Sequence, residues 1–135
     1  MPIRFLQRVS GFETTLDVNG TGSNSNTFTI DFSKEENNYS CVPTNGGNVN
    51  FVFSNITTQK INKQGNIIIT NPSSSGSLSF SVPALPATAF SPGGSQINFD
   101  TTANAVAIIS YHILTTTKVL INYVGSFQSY DQSTP

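Results

Sequence analysis

The composition of this 135-residue chain limits what it can be before any motif is considered. The length fits one domain, and a chain of this size buries roughly two thirds of its unfolded surface. Only 10% of the residues are charged and the formal net charge is -1. That argues against a nucleic-acid binder, which needs Lys and Arg to displace phosphate counterions. With no run of 18 apolar residues, and no apolar signal segment in residues 1–8, we expect neither membrane insertion nor export.

Short polar side chains and aromatic rings dominate the rest of the composition. Ser, Thr and Asn make up about a third of the chain, alongside ten Phe and four Tyr. The hydroxyls and amides suit turns and strand edges, whereas the aromatic and β-branched residues suit a half-buried pleated surface. The chain is therefore predicted to be ordered and all-β.

Short apolar or alternating runs separated by clusters of Gly, Asn, Ser and Pro recur from end to end, and no helical period is sustained. Regular spacing of such runs predicts an antiparallel β-sandwich or jelly-roll-like single domain. Residues 1–25 are predicted to form an N-terminal arm or strand, a possible attachment segment, and residues 26–135 the sandwich. The predicted strands cover residues 3–9, 13–18, 27–32, 48–53, 66–70, 77–82, 105–114 and 118–124.

Alternation assigns faces, because successive side chains leave opposite sides of a strand. Val49, Phe51 and Phe53 should share one side of their strand. Residues 66–70 and 106–109 are apolar on both faces, so these segments are predicted to be central strands or strands covered by a neighbouring subunit. The three threonines 115–117 are predicted to form the turn of a terminal hairpin.

Two segments do not fit a regular sheet. Residues 83–99 contain three prolines and a Gly-Gly pair, so they predict a long loop, which Leu85, Phe90, Ile97 and Phe99 could pin to the core. Near the N-terminus, residues 3–9 carry Arg4 and Arg8. They predict either the first strand of the same sheet, which we favour, or an arm that pairs with another subunit.

Residue types that could support catalysis occur, but not in a catalytic pattern. His112 is the only histidine. It shares a predicted face with Ser110, opposite Tyr111, and is expected to face solvent or an interface. Cys41 is the only cysteine, so no internal disulfide can form, and it is expected to be a small buried side chain. Lys34, Glu35 and Glu36 are expected to form a solvated turn. The chain is therefore predicted to be non-enzymatic, without metal or cofactor.

Four aromatic residues late in the chain could contact a sugar or a partner protein. They are Tyr111, Tyr123, Phe127 and Tyr130. Aromatic rings supply contact area at low entropic cost, and Asn, Ser and Thr supply adaptable hydrogen bonds. The alternative, which we favour, is that these rings pack in the core or between subunits.

A series of segments between residues 48 and 127 resembles a β module that recurs in structural proteins of tailed bacteriophages, particularly marine phages and cyanophages. The series comprises an apolar strand at 49–53, an Ile-rich strand at 66–70 and a Ser/aromatic strand at 77–82. A loop closing on Pro92-Gly93-Gly94 follows, and then residues 101–111 and 121–127. Where such modules carry an acidic residue after Asn-Ala-Val, this chain has Ala107. Where they have an Asp-Gly turn, it has threonines 115–117. The resemblance does not reach the first 40 residues.

The resemblance implies a structural protein of a phage particle, made in the host cytoplasm and located in the virion. The brevity of the chain favours a capsid decoration or cement protein bound to the major capsid protein. The alternative is a tail fibre, tail-tip or baseplate component bound to other tail proteins, with a host glycan as a possible ligand. A homo-oligomer, for which a trimer is one option, is expected because some strands are apolar on both faces and such parts close by cyclic symmetry.

Overall fold

The computed structural model describes residues 15–18, 20, 25–43, 48–71, 79–98 and 102–129. This part of the chain is all-β, with single turns of 3₁₀ helix at Thr58–Lys60 and Pro92–Gly94. The strands, in chain order, are β1 (Thr15–Asp17), β2 (Ser25–Asp31), β3 (Asn38–Cys41), β4 (Asn48–Ser54), β5 (Gln64–Thr70), β6 (Ser79–Ser81), β7 (Thr88–Phe90), β8 (Val106–Thr115) and β9 (Lys118–Phe127).

The strands form two sheets that contribute to one core. The larger sheet has the order β1-β3-β5-β8-β9-β7, and the smaller one the order β2-β4-β6. Phe28, Ile30 and Phe53 from the smaller sheet join Ile67 and Ile109 from the larger sheet in a single buried cluster. Burial of these apolar side chains supplies the main driving force for folding.

The prediction of antiparallel pairing is wrong for most of this fold. Among the described residues, five of the seven strand pairs are parallel, and only β5–β8 and β8–β9 are antiparallel. From β1 to β6 the chain alternates between the sheets, so each of the strands β1 to β4 pairs with the strand two places later. A chain that visits the other sheet between two neighbouring strands returns in its original direction. The parallel crossover is therefore made here by a strand rather than by the usual helix.

The predicted faces are confirmed wherever the structure describes them. Val49, Phe51 and Phe53 are fully buried. Strands β5 and β8 occupy the two central positions of the larger sheet, as the apolar runs predicted. Their inward residues are buried, whereas Ile68 and Ile108 face outward and are only half-buried.

Two short strands were missed by the sequence patterns. β3 carries a simple alternation, with Tyr39 and Cys41 buried, but its four residues are fewer than pattern recognition needs. β7 lies inside the predicted long loop and pairs in parallel with β9 at the edge of the larger sheet. Prolines are tolerated near an edge strand, because the backbone N–H groups on its outer side have no neighbouring strand to bond.

The loop around β7 is attached only partly as predicted: the expected contact of Ile97 with the core is confirmed, and two others are not. Leu85 is 80% exposed and Phe90 is 45% exposed, so neither side chain pins the loop to the core. The small residue Ala87 is buried instead, and Ala89 and Ile97 pack against the core cluster. Phe99 lies outside the described residues.

Part of the predicted N-terminal arm belongs to the sheet. Thr15–Asp17 is the edge strand β1, paired in parallel with β3. The predicted strand at residues 3–9, with Arg4 and Arg8, lies outside the described residues. The division at residue 25 stays a prediction.

The terminal hairpin is confirmed. Thr115 pairs with Lys118, so Thr116 and Thr117 form a two-residue connection. The Thr117 backbone N–H donates to Thr115 Oγ1 at 3.2 Å, a local hydroxyl–backbone bond of the kind that lets threonine replace Asn-Gly in a turn.

Candidate functional site

A groove runs over the outer face of the larger sheet, where β5, β8, β9 and β7 lie side by side. In register, Gln64 faces His112, His112 faces Leu120, and Leu120 faces Phe90. These four outward side chains form one row across four strands. The next row, two residues along each strand, places Asn66, Ser110 and Asn122 beside it.

We call this feature the outer groove. Its volume is about 640 Å³, a size usual for small-molecule sites. Ser91 and Pro92, which follow β7, line one side of the groove. Its lining comprises Gln64, Gly65, Phe90, Ser91, Pro92, Ser110, Tyr111, His112, Leu120, Ile121 and Asn122.

The lining is amphipathic and carries no formal charge apart from any proton on His112. Phe90 and Leu120 form an exposed apolar surface. Gln64 lies at the far end of the row from that surface and Asn122 lies next to Leu120 on β9. Each of the two amides can donate and accept hydrogen bonds. Among the described residues that line the groove there is no Asp, Glu, Lys or Arg. The groove therefore suits a neutral ligand with both apolar and hydroxyl surfaces.

His112 is held at the groove by a neighbouring loop. Its Nε2 lies 3.1 Å from Asn62 Oδ1. Since a carbonyl oxygen can only accept, this pairing favours the tautomer with hydrogen on Nε2 and leaves Nδ1 as an acceptor. Asn62 has a positive φ of 74°, a conformation that asparagine tolerates better than most residues. The imidazole is thereby oriented without being buried.

Phe90 is positioned from the other side of the groove. Pairing of β7 with β9 puts it beside Leu120, and Lys118 Nζ lies 5.5 Å from the ring centroid. This distance is within the range of a cation–π contact, which restricts the ring at an exposed site. About half of the Phe90 surface stays open to solvent.

A network of polar atoms supports the sheet beneath one end of the groove. Lys63 Nζ donates to the carbonyl oxygens of Phe32 and Lys34, at 3.3 and 2.8 Å, and to Tyr39 Oη at 2.9 Å. The Tyr111 hydroxyl donates to the Asn37 carbonyl oxygen at 2.6 Å. These bonds attach the loop between β2 and β3 to the larger sheet. Burial, followed by the nearby Lys60 charge, lowers the pKa of Lys63 to about 8.

The two tyrosines of this network should make the fold sensitive to alkali. Burial raises the pKa of both Tyr39 and Tyr111 well above the ordinary value of 10.0. The unfolded chain therefore loses these protons first, so stability present below pH 10 is lost as the pH rises further. The lowered pKa of Lys63 acts in the opposite sense, because it makes the free energy of unfolding rise with pH. This rise ends above pH 10.5, the ordinary pKa of lysine.

Above pH 10.5 we expect the free energy of unfolding to fall by up to about 1.4 kcal/mol per pH unit for each buried tyrosine. Urea unfolding at a series of pH values measures this slope. Tyr111→Phe should cost about 1 kcal/mol at neutral pH, because the Asn37 carbonyl loses its donor, yet it should flatten the alkaline slope. An unchanged slope in that variant would show that Tyr111 already ionises in the folded protein.

The residues predicted as surface or interface positions divide into four groups. Tyr111 is 3% exposed and belongs to the core, so its prediction as a surface residue is corrected. Its place on β8 turns it inward, as the packing alternative held. Tyr123 is half-buried against the core, with its hydroxyl bonded to Ser126, whereas His112 and Phe127 lie on the outer face. Arg4, Arg8 and Tyr130 lie outside the described residues.

The other reactive residue types are placed as expected. Cys41 is buried, and burial raises its pKa to about 12, so the thiolate is disfavoured. Lys34 and Glu35 lie exposed in the turn after β2, as predicted, whereas Glu36 is half-buried. Asp31 accepts hydrogen bonds from Ser33 and Asn55, which lower the pKa of its carboxyl. In the described ranges, no three His, Cys, Asp or Glu residues form a group that could hold a metal ion.

The groove residues Gln64, Phe90 and Asn122 were not identified from the sequence. Each has an ordinary local context, and their proximity depends on the register of four strands. Alternation alone placed Ser110 with His112 on one face of β8, and it could have placed Asn122 with Leu120 on one face of β9. It could not have shown that these faces join.

The helical turns of the described segments have neither the length nor the apolar character of a membrane-crossing helix. Comparison of the chain with family models, with curated proteins and with solved structures finds no match in any of the three.

Proposed function

We propose that this chain is a non-enzymatic structural protein of a tailed-phage particle, located in the virion as a capsid decoration protein. Support comes from the resemblance of residues 48–127 to phage structural modules, together with outward-facing apolar side chains on the larger sheet. We further propose that the two sheets form a two-layer sandwich, since both contribute to the same core.

The observation that carries the proposal is an apolar patch on the outer face of β5, β8 and β9. Ile68 and Ile108 face each other in register, and Val106 faces Phe127 across the next strand pair. Phe127 is 51% exposed. We call Ile68, Val106, Ile108 and Phe127 the apolar patch.

Such a patch suits attachment to another protein. Contiguous exposed apolar side chains on a soluble domain mark interaction surfaces, and the apolar centre of an interface contributes most of its binding energy. We propose the major capsid protein as the occupant, since this is the partner that the resemblance to phage structural modules implies for a decoration protein. A closed homo-oligomer, for example a trimer, is proposed to form on the particle.

Quantitative mass spectrometry of purified particles tests the assignment directly. We expect on the order of hundreds of copies per particle, as repeated binding to a symmetric shell requires. A few copies, up to a few tens, would instead place the protein in the tail, as a fibre, tail-tip or baseplate component. Absence from the particle would overturn the structural role.

A pair of variants tests whether the apolar patch mediates attachment. Ile108→Asp places a charge at the centre of the patch and should reduce incorporation into particles at least about tenfold. Leu85→Asp is the matched control, because Leu85 is more exposed but lies in the loop before β7, outside the patch. Both purified variants should keep the β spectrum of the parent in circular dichroism. Equal incorporation of the two variants would contradict attachment through the patch.

A further inference from the structure

We propose that the outer groove is a binding site for a neutral sugar ring, with Phe90 as its stacking surface. This inference rests on the geometry of the groove and not on the particle assignment. Either can fail without the other, because sugar binding and particle copy number are measured separately.

The shape and size of the groove fit a pyranose unit or a short oligosaccharide. Its four-residue row runs across four adjacent strands. Neighbouring strands are about 4.8 Å apart, so the row is about 14 Å long, enough for two to three sugar rings in an extended chain. The backbone of the sheet fixes the spacing of the row, so binding has to order side chains only.

The apolar part of the lining matches one face of a sugar. A pyranose presents a C–H face that is apolar and a rim of hydroxyls that is polar. Phe90 and Leu120 lie next to each other in register and are both partly exposed, which gives an apolar surface at the end of the row. The Lys118 cation–π contact favours one arrangement of the Phe90 ring before any ligand arrives.

The polar part of the lining matches the hydroxyl rim. The side-chain amides of Gln64 and Asn122 are planar, and each can pair with two adjacent sugar hydroxyls at once. Ser110 lies on β8, the strand between the β5 strand of Gln64 and the β9 strand of Asn122. His112 contributes the acceptor Nδ1 while Asn62 holds its Nε2. A sugar that leaves water loses hydrogen bonds to its hydroxyls, and the donors and acceptors of the groove can replace them while the apolar surface covers its C–H face.

The charge of the lining excludes the commonest alternatives. A phosphate or carboxylate ligand would need Arg or Lys directed at it, and a cation would need carboxylates. Among the described residues that line the groove, neither type is present. Lys118 lies beside the groove, but its ammonium is directed at the Phe90 ring. A neutral ligand remains, and the polar groups are too numerous for a purely apolar one.

Nuclear magnetic resonance titration of the ¹⁵N-labelled full chain tests the assignment. The probes are glucose, galactose, mannose and N-acetylglucosamine, each as the free sugar and as a short β- or α-linked oligosaccharide. We expect saturable shifts at Gln64, His112 and Asn122 with at least one probe, at a dissociation constant on the order of 1 mM. No saturable shift at these residues with any probe would overturn the proposal.

Variants separate stacking from general surface effects. Phe90→Ala should weaken binding about tenfold, and Asn122→Ala should weaken it as well. Phe127→Ala is the matched control, because Phe127 is also an exposed outward phenylalanine of the larger sheet but lies outside the groove. Loss of binding in the control equal to that in Phe90→Ala would contradict the site. So would tighter binding of glucuronate than of glucose, which would show a charged ligand.

Discussion

Replacement of Phe32 by alanine is expected to lower the free energy of unfolding by about 3–5 kcal/mol. Phe32 is fully buried directly after β2. Its ring centroid lies 5.4 Å from that of Phe53 in the smaller sheet. It lies 5.1 Å from the ring of Tyr111 and 5.7 Å from that of Tyr39 in the larger sheet. The side chain therefore connects the two sheets, and its loss leaves a cavity between them.

The size of this effect should be visible against the whole stability of the domain, which for proteins of this size is typically about 5–15 kcal/mol. Urea unfolding followed by circular dichroism measures it. Phe90→Ala is the matched control: the same change at a half-exposed position should cost less than about 1 kcal/mol. Similar losses in the two variants would mean that Phe32 does not hold the sheets together.

Replacement of Gly65 by alanine is expected to be equally damaging for the opposite reason, an excess of atoms. Gly65 points inward on β5, opposite Tyr111 in register. A Cβ at this position would lie 1.8 Å from the Asn37 carbonyl oxygen and 2.9 Å from the Tyr111 hydroxyl. The first of these atoms belongs to the backbone and cannot rotate away. The loop between β2 and β3 would have to move, which breaks the Tyr111–Asn37 hydrogen bond.

We expect Gly65→Ala to lower the free energy of unfolding by about 3 kcal/mol or more, again measured by urea unfolding. Gln64→Ala, one residue away on the exposed face, should change it by less than about 0.5 kcal/mol. The same substitution made in a Tyr111→Phe variant shows which atom causes the clash. In Tyr111→Phe the Gly65→Ala change should remain costly, because the contact with the Asn37 backbone persists. If it became neutral there, the tyrosine hydroxyl would be the cause instead.

The groove shows why some functional positions are invisible in one sequence. His112 was placed on the outward face of its strand from alternation alone, and that placement is confirmed. Its neighbours in the row come from three other segments, separated from it by 22 residues along the chain for Phe90 and 48 for Gln64. Only strand register brings such segments together, and register is a long-range property.

The amino-acid sequence by itself determined the all-β class, the inward faces of β4 and β8, the central positions of β5 and β8, and the terminal hairpin. Each depends on local alternation of apolar and polar residues, which the chain carries within single strands. Tertiary structure decided the parallel winding between two sheets, the short strands β3 and β7, the inward burial of Ala87 in place of Leu85, and the groove. In each of these, the energy comes from contacts between distant segments, and a four-residue pattern is too short to specify its partner.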